Sequence, residues 1–202
     1  MSALADMPVI LASASKTRAR LLSAAGLIFE ISPAEIDEEA IREGMAAENS
    51  SHSEVARTLA ELKAVRISRH HEAMLVIGAD QILSCGKLMY GKPRDRAEAA
   101  AQLSALSDKT HVLFSAVCVA RHGDILWHHV DKVEMKMRRL TPEFIDRYLD
   151  AAGPDILSNA GSYAIEGLGV HLFSAVHGDH FAIQGVPLLP LLAFLREHKV
   201  VP

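Results

Sequence analysis

Residues 74–83, MLVIGADQIL, are apolar apart from one carboxylate, Asp80, and the amide of Gln81 directly behind it. The first four residues are long and branched enough for a buried strand, and Gly78 and Ala79 remove bulk just before the acid. An isolated ionised carboxylate buried in such surroundings is very costly, so Asp80 must either cap a turn or meet a cation at the end of the strand. A carboxylate held by cations can accept a proton from water or bind a hard divalent ion.

Other segments supply groups that match. In LASASKTRARLL the hydroxyls of Ser13 and Ser15 stand where a buried strand runs into a helix, beside backbone N–H groups that suit an anion. Arg18 lies three residues past Ser15, on the same side of the first turn, where its guanidinium can fork onto a phosphate. The same spacing also fits plain helix capping, and the local pattern leaves both readings open. The stretch AEIDEEA holds Glu35, Asp37, Glu38 and Glu39. Most of it reads as a charged first helical turn favoured by the helix dipole. One of these acids paired with Asp80 would make an oxygen site suited to Mg²⁺ or Mn²⁺. Lys63 sits mid-helix, where lysines are usually solvated, whereas Lys92 in YGKP is mounted on a turn fixed by Gly91 and Pro93, a good support for a phosphate ligand.

Several chemistries lack their motifs. The pairs His70-His71 and His128-His129, and His177 with His180, have neither an HExxH spacing nor a cysteine partner, so they do not read as zinc sites. There is no GxSxG elbow for a serine hydrolase, and neither a GxxxxGK[ST] nor a GxGxxG loop.

The elements that must carry these residues follow from periodicity and punctuation. A short buried strand at 9–12 runs into a helix capped by Ser15 and ended by Gly26, and a strand follows at 27–31. Ser51 to Glu54 has capping-box spacing, and Val55, Leu59, Leu62 and Ile67 recur at helical intervals. The strand bearing Asp80 turns at CGK into KLMY, and a helix capped by Asp95 comes next. Two extended segments, 110–120 and 125–137, joined by HGD make a β-ribbon. Thr141-Pro142 starts a helix that Gly153-Pro154 stops. GSYAIEGLG reads as a glycine-rich loop and strand, a second HGD near Gly178 as another hairpin, and Pro187 as the start of a last helix. Strands alternate with helices early and hairpins dominate later, which predicts a mixed α/β or α+β sheet with helices on its faces.

The 202 residues, half of them hydrophobic, can bury a core without disulfides. A formal charge of −4 with both signs dispersed gives no basic stripe, so nucleic acid is not expected as a partner. Cys85 and Cys118 sit in apolar segments without CxxC spacing and read as buried free thiols in a reducing compartment, the cytoplasm. The apolar part of the N-terminus is too short for a signal sequence and carries Asp6, and no apolar run approaches the roughly 18 residues of a membrane span.

Taken in order and spacing, LASASKTRARLL, PAEIDE, LAELKA, VIGADQ, GKP, GSYAIEG and IQGVPL resemble the Maf family of nucleotide pyrophosphatases across nearly the whole chain. The resemblance implies a single domain over 1–202, an elongated mixed sheet split into two lobes by a cleft, similar to inosine-triphosphate pyrophosphatases. It implies hydrolysis of nucleoside triphosphates between the α and β phosphates with a divalent metal, on non-standard or surplus nucleotides. By the same resemblance Asp80 is the proton acceptor or a metal ligand and Glu35 lies near the metal. Ser13, Ser15, Arg18, Lys63 and Lys92 line the phosphates, while Gln81 and Glu166 fall where base preference varies. The first motif departs from the common SxSPRR form, with Lys16-Thr17 leaving only Arg18. Glu166 leans towards the branch that includes 7-methyl-GTP hydrolases. A homodimer is plausible by resemblance alone. The competing reading is a nucleotide-binding regulator of septum formation with little turnover.

Overall fold

The computed structural model describes residues 7–201. Asp6, used above against a signal sequence, lies outside them. Among the described residues, seven strands form one mixed sheet: β1 (Val9–Leu11), β2 (Glu30–Ile31), β3 (Leu75–Cys85), β4 (Leu88–Tyr90), β5 (Thr110–Arg121), β6 (Asp124–Met137) and β7 (Phe173–His177). Their order is β2-β1-β3-β5-β6-β7, with β4 also on β3. β1 runs parallel to both β2 and β3, whereas β4 on β3 and β7 on β6 are antiparallel. The helices are α1 (Lys16–Ala24), α2 (Glu38–Ala47), α3 (His52–Ser68), α4 (Arg96–Leu106), α5 (Pro142–Ala152), α6 (His180–Ile183) and α7 (Leu188–Glu197). This is the mixed α/β class that the alternation of elements predicts. No helix among the described residues is long and apolar enough to cross a membrane.

The chain divides into two compact units. The first holds the chain up to Gln81, Ser115–Asp131 and everything from Gly185 onward. Its centre is β1 and residues 75–80 of β3, all buried, with α3 laid against them. Ser51 caps α3 reciprocally: its Oγ accepts from the Glu54 N–H and the Glu54 carboxylate accepts from the Ser51 N–H at 2.8 Å. The buried face of α3 is Val55, Ala56, Leu59, Ala60, Lys63, Ala64 and Ile67. Leu62, counted above in the apolar stripe, is instead 39% exposed. The reason is the close approach of helix and strand at Gly78, where a Cβ would collide with the Ala60 carbonyl oxygen and lie 2.7 Å from the Ala64 nitrogen. Alanines at that face and glycine in the strand bring the two backbones together, and the helix rotates to present them.

The second unit, Ile82–Phe114 with Lys132–Gln184, has its own core of Leu83, Leu103, Leu106, Leu113, Val133, Met135 and Met137. His111 is fully buried there, its Nε2 2.8 Å from the Tyr163 hydroxyl. Burial pushes the imidazole down from its usual 6.5 to about 4, so the folded chain keeps it neutral where the unfolded chain protonates it. The unfolded state then binds more protons between those two values, and stability falls as pH drops through that window. We expect unfolding in urea to show about 2 kcal/mol less stability at pH 5 than at pH 7 from this group, reduced in His111→Gln.

Three segments differ from their predicted form. Only Glu30–Ile31 of 27–31 is strand, because the Leu27 N–H donates to Leu22 O and the Gly26 N–H to Ser23 O, closing α1 with Gly26 at φ 81. GSYAIEGLG contains no strand, since Gly161 and Ser162 take φ 76 and 59 and 3₁₀ turns occupy Ala160–Ser162 and Leu168–Leu172. The HGD at 122–124 makes the predicted tight turn, with His122 and Gly123 both at positive φ. The HGD at 177–179 does not, because Asp179 caps α6 by accepting from the Ala182 N–H.

Candidate active site

Asp80 is 3% exposed on β3, and the cation its burial demands is Lys63, which reaches across from the buried face of α3. The Lys63 ammonium donates to Asp80 Oδ1 at 2.6 Å and lies 2.7 Å from Glu38 Oε1. Lys63 is thus 6% exposed rather than solvated. Glu38 opens α2, where Asp37 caps the helix and accepts from the Ala40 N–H. One turn later Arg42 places Nη2 3.1 Å from Glu38 Oε2 and 3.7 Å from Asp80 Oδ2. Two carboxylates and two cations therefore alternate around one point. Each member would be costly to bury alone. Two atoms in this group are buried without a hydrogen-bond partner: Asp80 Oδ2 and Arg42 Nε.

Arg18 anchors the backbone around the acid. Its Nη1 donates to Ser13 Oγ at 3.0 Å and to Ala79 O at 2.8 Å, and its Nε donates to Gly185 O at 3.0 Å. Ala79 directly precedes Asp80, so the guanidinium fixes the peptide that orients the carboxylate. Burial lowers the pKa of the guanidinium, while the nearby Asp80 and Glu38 raise it. Ser15 caps α1 through the Arg18 N–H at 3.3 Å, and Ser13 Oγ accepts from the Ser15 N–H at 3.3 Å. The capping half of the reading of this motif describes these contacts. Gln81 turns its amide to Ser115, donating to Oγ at 2.8 Å.

The structure thus gathers Asp80, Lys63, Arg18 and Ser13 in the first unit. Glu35 is exposed between β2 and α2, and the acid that meets Lys63 is Glu38, three residues on. Lys92 and Glu166 are exposed residues of the second unit, Lys92 in an irregular stretch after β4 and Glu166 in a turn. Sequence reasoning passed over Arg42 and did not single out Glu38 from the acidic run. Their four-residue spacing in a helical stretch is the signal that pairs them.

The donor set also bears on a metal. Among the described residues no group of three His, Cys, Asp or Glu side chains converges on one point. His128 and His129 instead meet Glu61 at 3.3 Å and Asp131 at 2.9 Å. A divalent ion would rest on one or two carboxylates, with water and phosphate oxygens completing its shell, which is how Mg²⁺ usually binds. Two neighbouring carboxylates, Glu38 and Asp80, whose Oδ2 makes no hydrogen bond, fit that requirement.

Residues 8–198 match the family described as Maf-like protein. A nucleoside triphosphate pyrophosphatase of Paramagnetospirillum magneticum is 50% identical over 194 residues, covering 96% of this chain and all of that protein. One from Rhodospirillum rubrum is 49% identical over 201 residues, covering 100% of this chain and 99% of that protein. A 7-methyl-GTP pyrophosphatase of Rhizobium meliloti is 46% identical over 189 residues, covering 94% and 95% of the two chains.

Proposed function

Because this chain belongs to the Maf-like protein family, we propose that it hydrolyses nucleoside triphosphates between the α and β phosphates, releasing a nucleoside monophosphate and pyrophosphate. The relatives named as nucleoside triphosphate and 7-methyl-GTP pyrophosphatases support this reaction class. The structural observation that carries the reading is Asp80, a buried carboxylate with one oxygen hydrogen-bonded to Lys63 and the other making no hydrogen bond, with only the Arg42 guanidinium near it at 3.7 Å.

In this reading a water molecule attacks the α phosphorus. Asp80 Oδ2 takes its proton while Oδ1 stays on Lys63, so the carboxylate cannot turn away. The new bond is from the water oxygen to the α phosphorus, and the bond that breaks joins that phosphorus to the oxygen bridging to the β phosphate. That oxygen leaves with the pyrophosphate. Arg18 holds the Ala79 carbonyl and with it the direction of Asp80. Glu38, in place of the Glu35 expected from the sequence, would hold Mg²⁺ or Mn²⁺ with water and phosphate oxygens completing the shell, while Asp80, the other expected ligand, keeps Oδ2 for the proton. When bound, such an ion offsets charge on the phosphates and on the leaving group. Lys92 is proposed as a further phosphate ligand, and Gln81 and Glu166 as base-side residues.

The substrates proposed are non-standard or surplus nucleotides, 7-methyl-GTP among them, and the setting is a cytoplasmic house-cleaning role. Cys85 and Cys118 are both free thiols, as a reducing compartment allows, with Cys118 buried as expected and Cys85, at the end of β3, only partly so. The test is product analysis over a panel of ordinary and modified triphosphates with Mg²⁺ or Mn²⁺. Pyrophosphate and monophosphate are expected in equal amounts from at least one nucleotide. Orthophosphate as the only inorganic product, or binding without turnover across the panel, rejects the proposal, and the second result favours the regulator.

A further inference from the structure

We infer that Arg42 is a ligand for the substrate's polyphosphate chain, held in reserve on Glu38 and Asp80 until a phosphate oxygen arrives. The inference rests on the reading of this cluster as a polyphosphate site and adds a residue to it. Arg42 differs from its neighbours in how incompletely it is satisfied. Lys63 contacts both carboxylates at 2.6 and 2.7 Å, and Arg18 makes three hydrogen bonds to a hydroxyl and two carbonyls. Arg42 makes one short contact, to Glu38, and its approach to Asp80 Oδ2 at 3.7 Å is too long for a hydrogen bond. Its Nε is buried with no acceptor. A buried donor left unmade is costly, so this guanidinium gains by meeting a new oxygen.

Position and chemistry narrow what that oxygen belongs to. The Arg42 side chain is 26% exposed against 7% for Lys63, which makes it the cation of the quartet that an incoming ligand reaches more readily. A guanidinium offers parallel N–H donors whose geometry matches phosphate oxygens two at a time. Nε and a terminal nitrogen of Arg42 can supply such a pair once Nη2 leaves Asp80. That movement also removes a cation from beside Asp80 Oδ2, the oxygen assigned above to take the proton.

The experiment is calorimetric titration of the full chain with inorganic tripolyphosphate in the presence of Mg²⁺, alongside steady-state hydrolysis. Arg42→Gln is expected to weaken tripolyphosphate binding by about tenfold to a hundredfold. It should raise KM more than it lowers kcat, with Arg42→Lys recovering part of the affinity and the thermal midpoint little changed. Unchanged tripolyphosphate affinity in Arg42→Gln overturns the inference. So does wild-type protein that does not bind tripolyphosphate, or a variant that loses kcat and folding stability while KM holds. Wild-type protein that binds tripolyphosphate through Arg42 yet releases pyrophosphate from no nucleotide sinks the hydrolase reading and leaves this inference standing.

Discussion

Asp80→Asn is expected to lower kcat for pyrophosphate release by about a thousandfold, within the range contributed by a positioned general base. The substitution keeps the shape of the side chain, and its amide oxygen can still accept from Lys63, which also retains Glu38. The loss therefore falls on chemistry rather than on packing. KM should hold or fall, because a negative charge is removed from a pocket that must admit a polyanion. Pyrophosphate release from the best nucleotide of the panel, with the urea midpoint as a folding control, checks both halves. A variant that turns over within a fewfold of wild type removes Asp80 from the role of proton acceptor.

The second large effect is on folding, at Gly78→Val. The Ala60 carbonyl and the Ala64 backbone lie where the new side chain would stand, and backbone cannot swing aside as a long side chain does. Either α3 lifts off β3 or the strand bends. We expect a loss of about 3 kcal/mol or more, a large part of the roughly 5–15 kcal/mol that usually separates native from unfolded chains. Because α3 carries Lys63, any protein that still folds should also lose activity. Urea unfolding of the purified variant decides it, and a midpoint close to wild type would show that helix and strand do not meet at Gly78 as described.

The contrast between Gly78 and Lys63 shows which parts of this fold the sequence declares. Caps were legible because they are local: Ser15, Ser51, Asp95 and Thr141 each accept from an N–H three residues ahead. The buried strand with its acid was legible because a lone charge in an apolar run needs a reason. The facing of α3 was not. Its largest apolar residues suggested a stripe through Leu62, whereas the contact is made by small alanines fitting a glycine on another element. The orientation that buries Lys63 is a property of that fit and of no local pattern. Glu38 was masked by its acidic neighbours for the same reason, since only the direction of α2 decides which acid of the run meets the lysine. The two HGD tripeptides make the point from the other side. Identical residues turn a hairpin where a partner strand follows, and open a helix where Asp179 finds an N–H to accept.

The Arg18 guanidinium joins the first turn of α1 to the carbonyl of Gly185, 167 residues later. A chain emerging from the ribosome makes Arg18 and Asp80 well before the Gly185 peptide that holds the guanidinium in place. Nascent chains short of that glycine carry the acid without this anchor, so the proposed hydrolysis has to wait until Gly185 has been made.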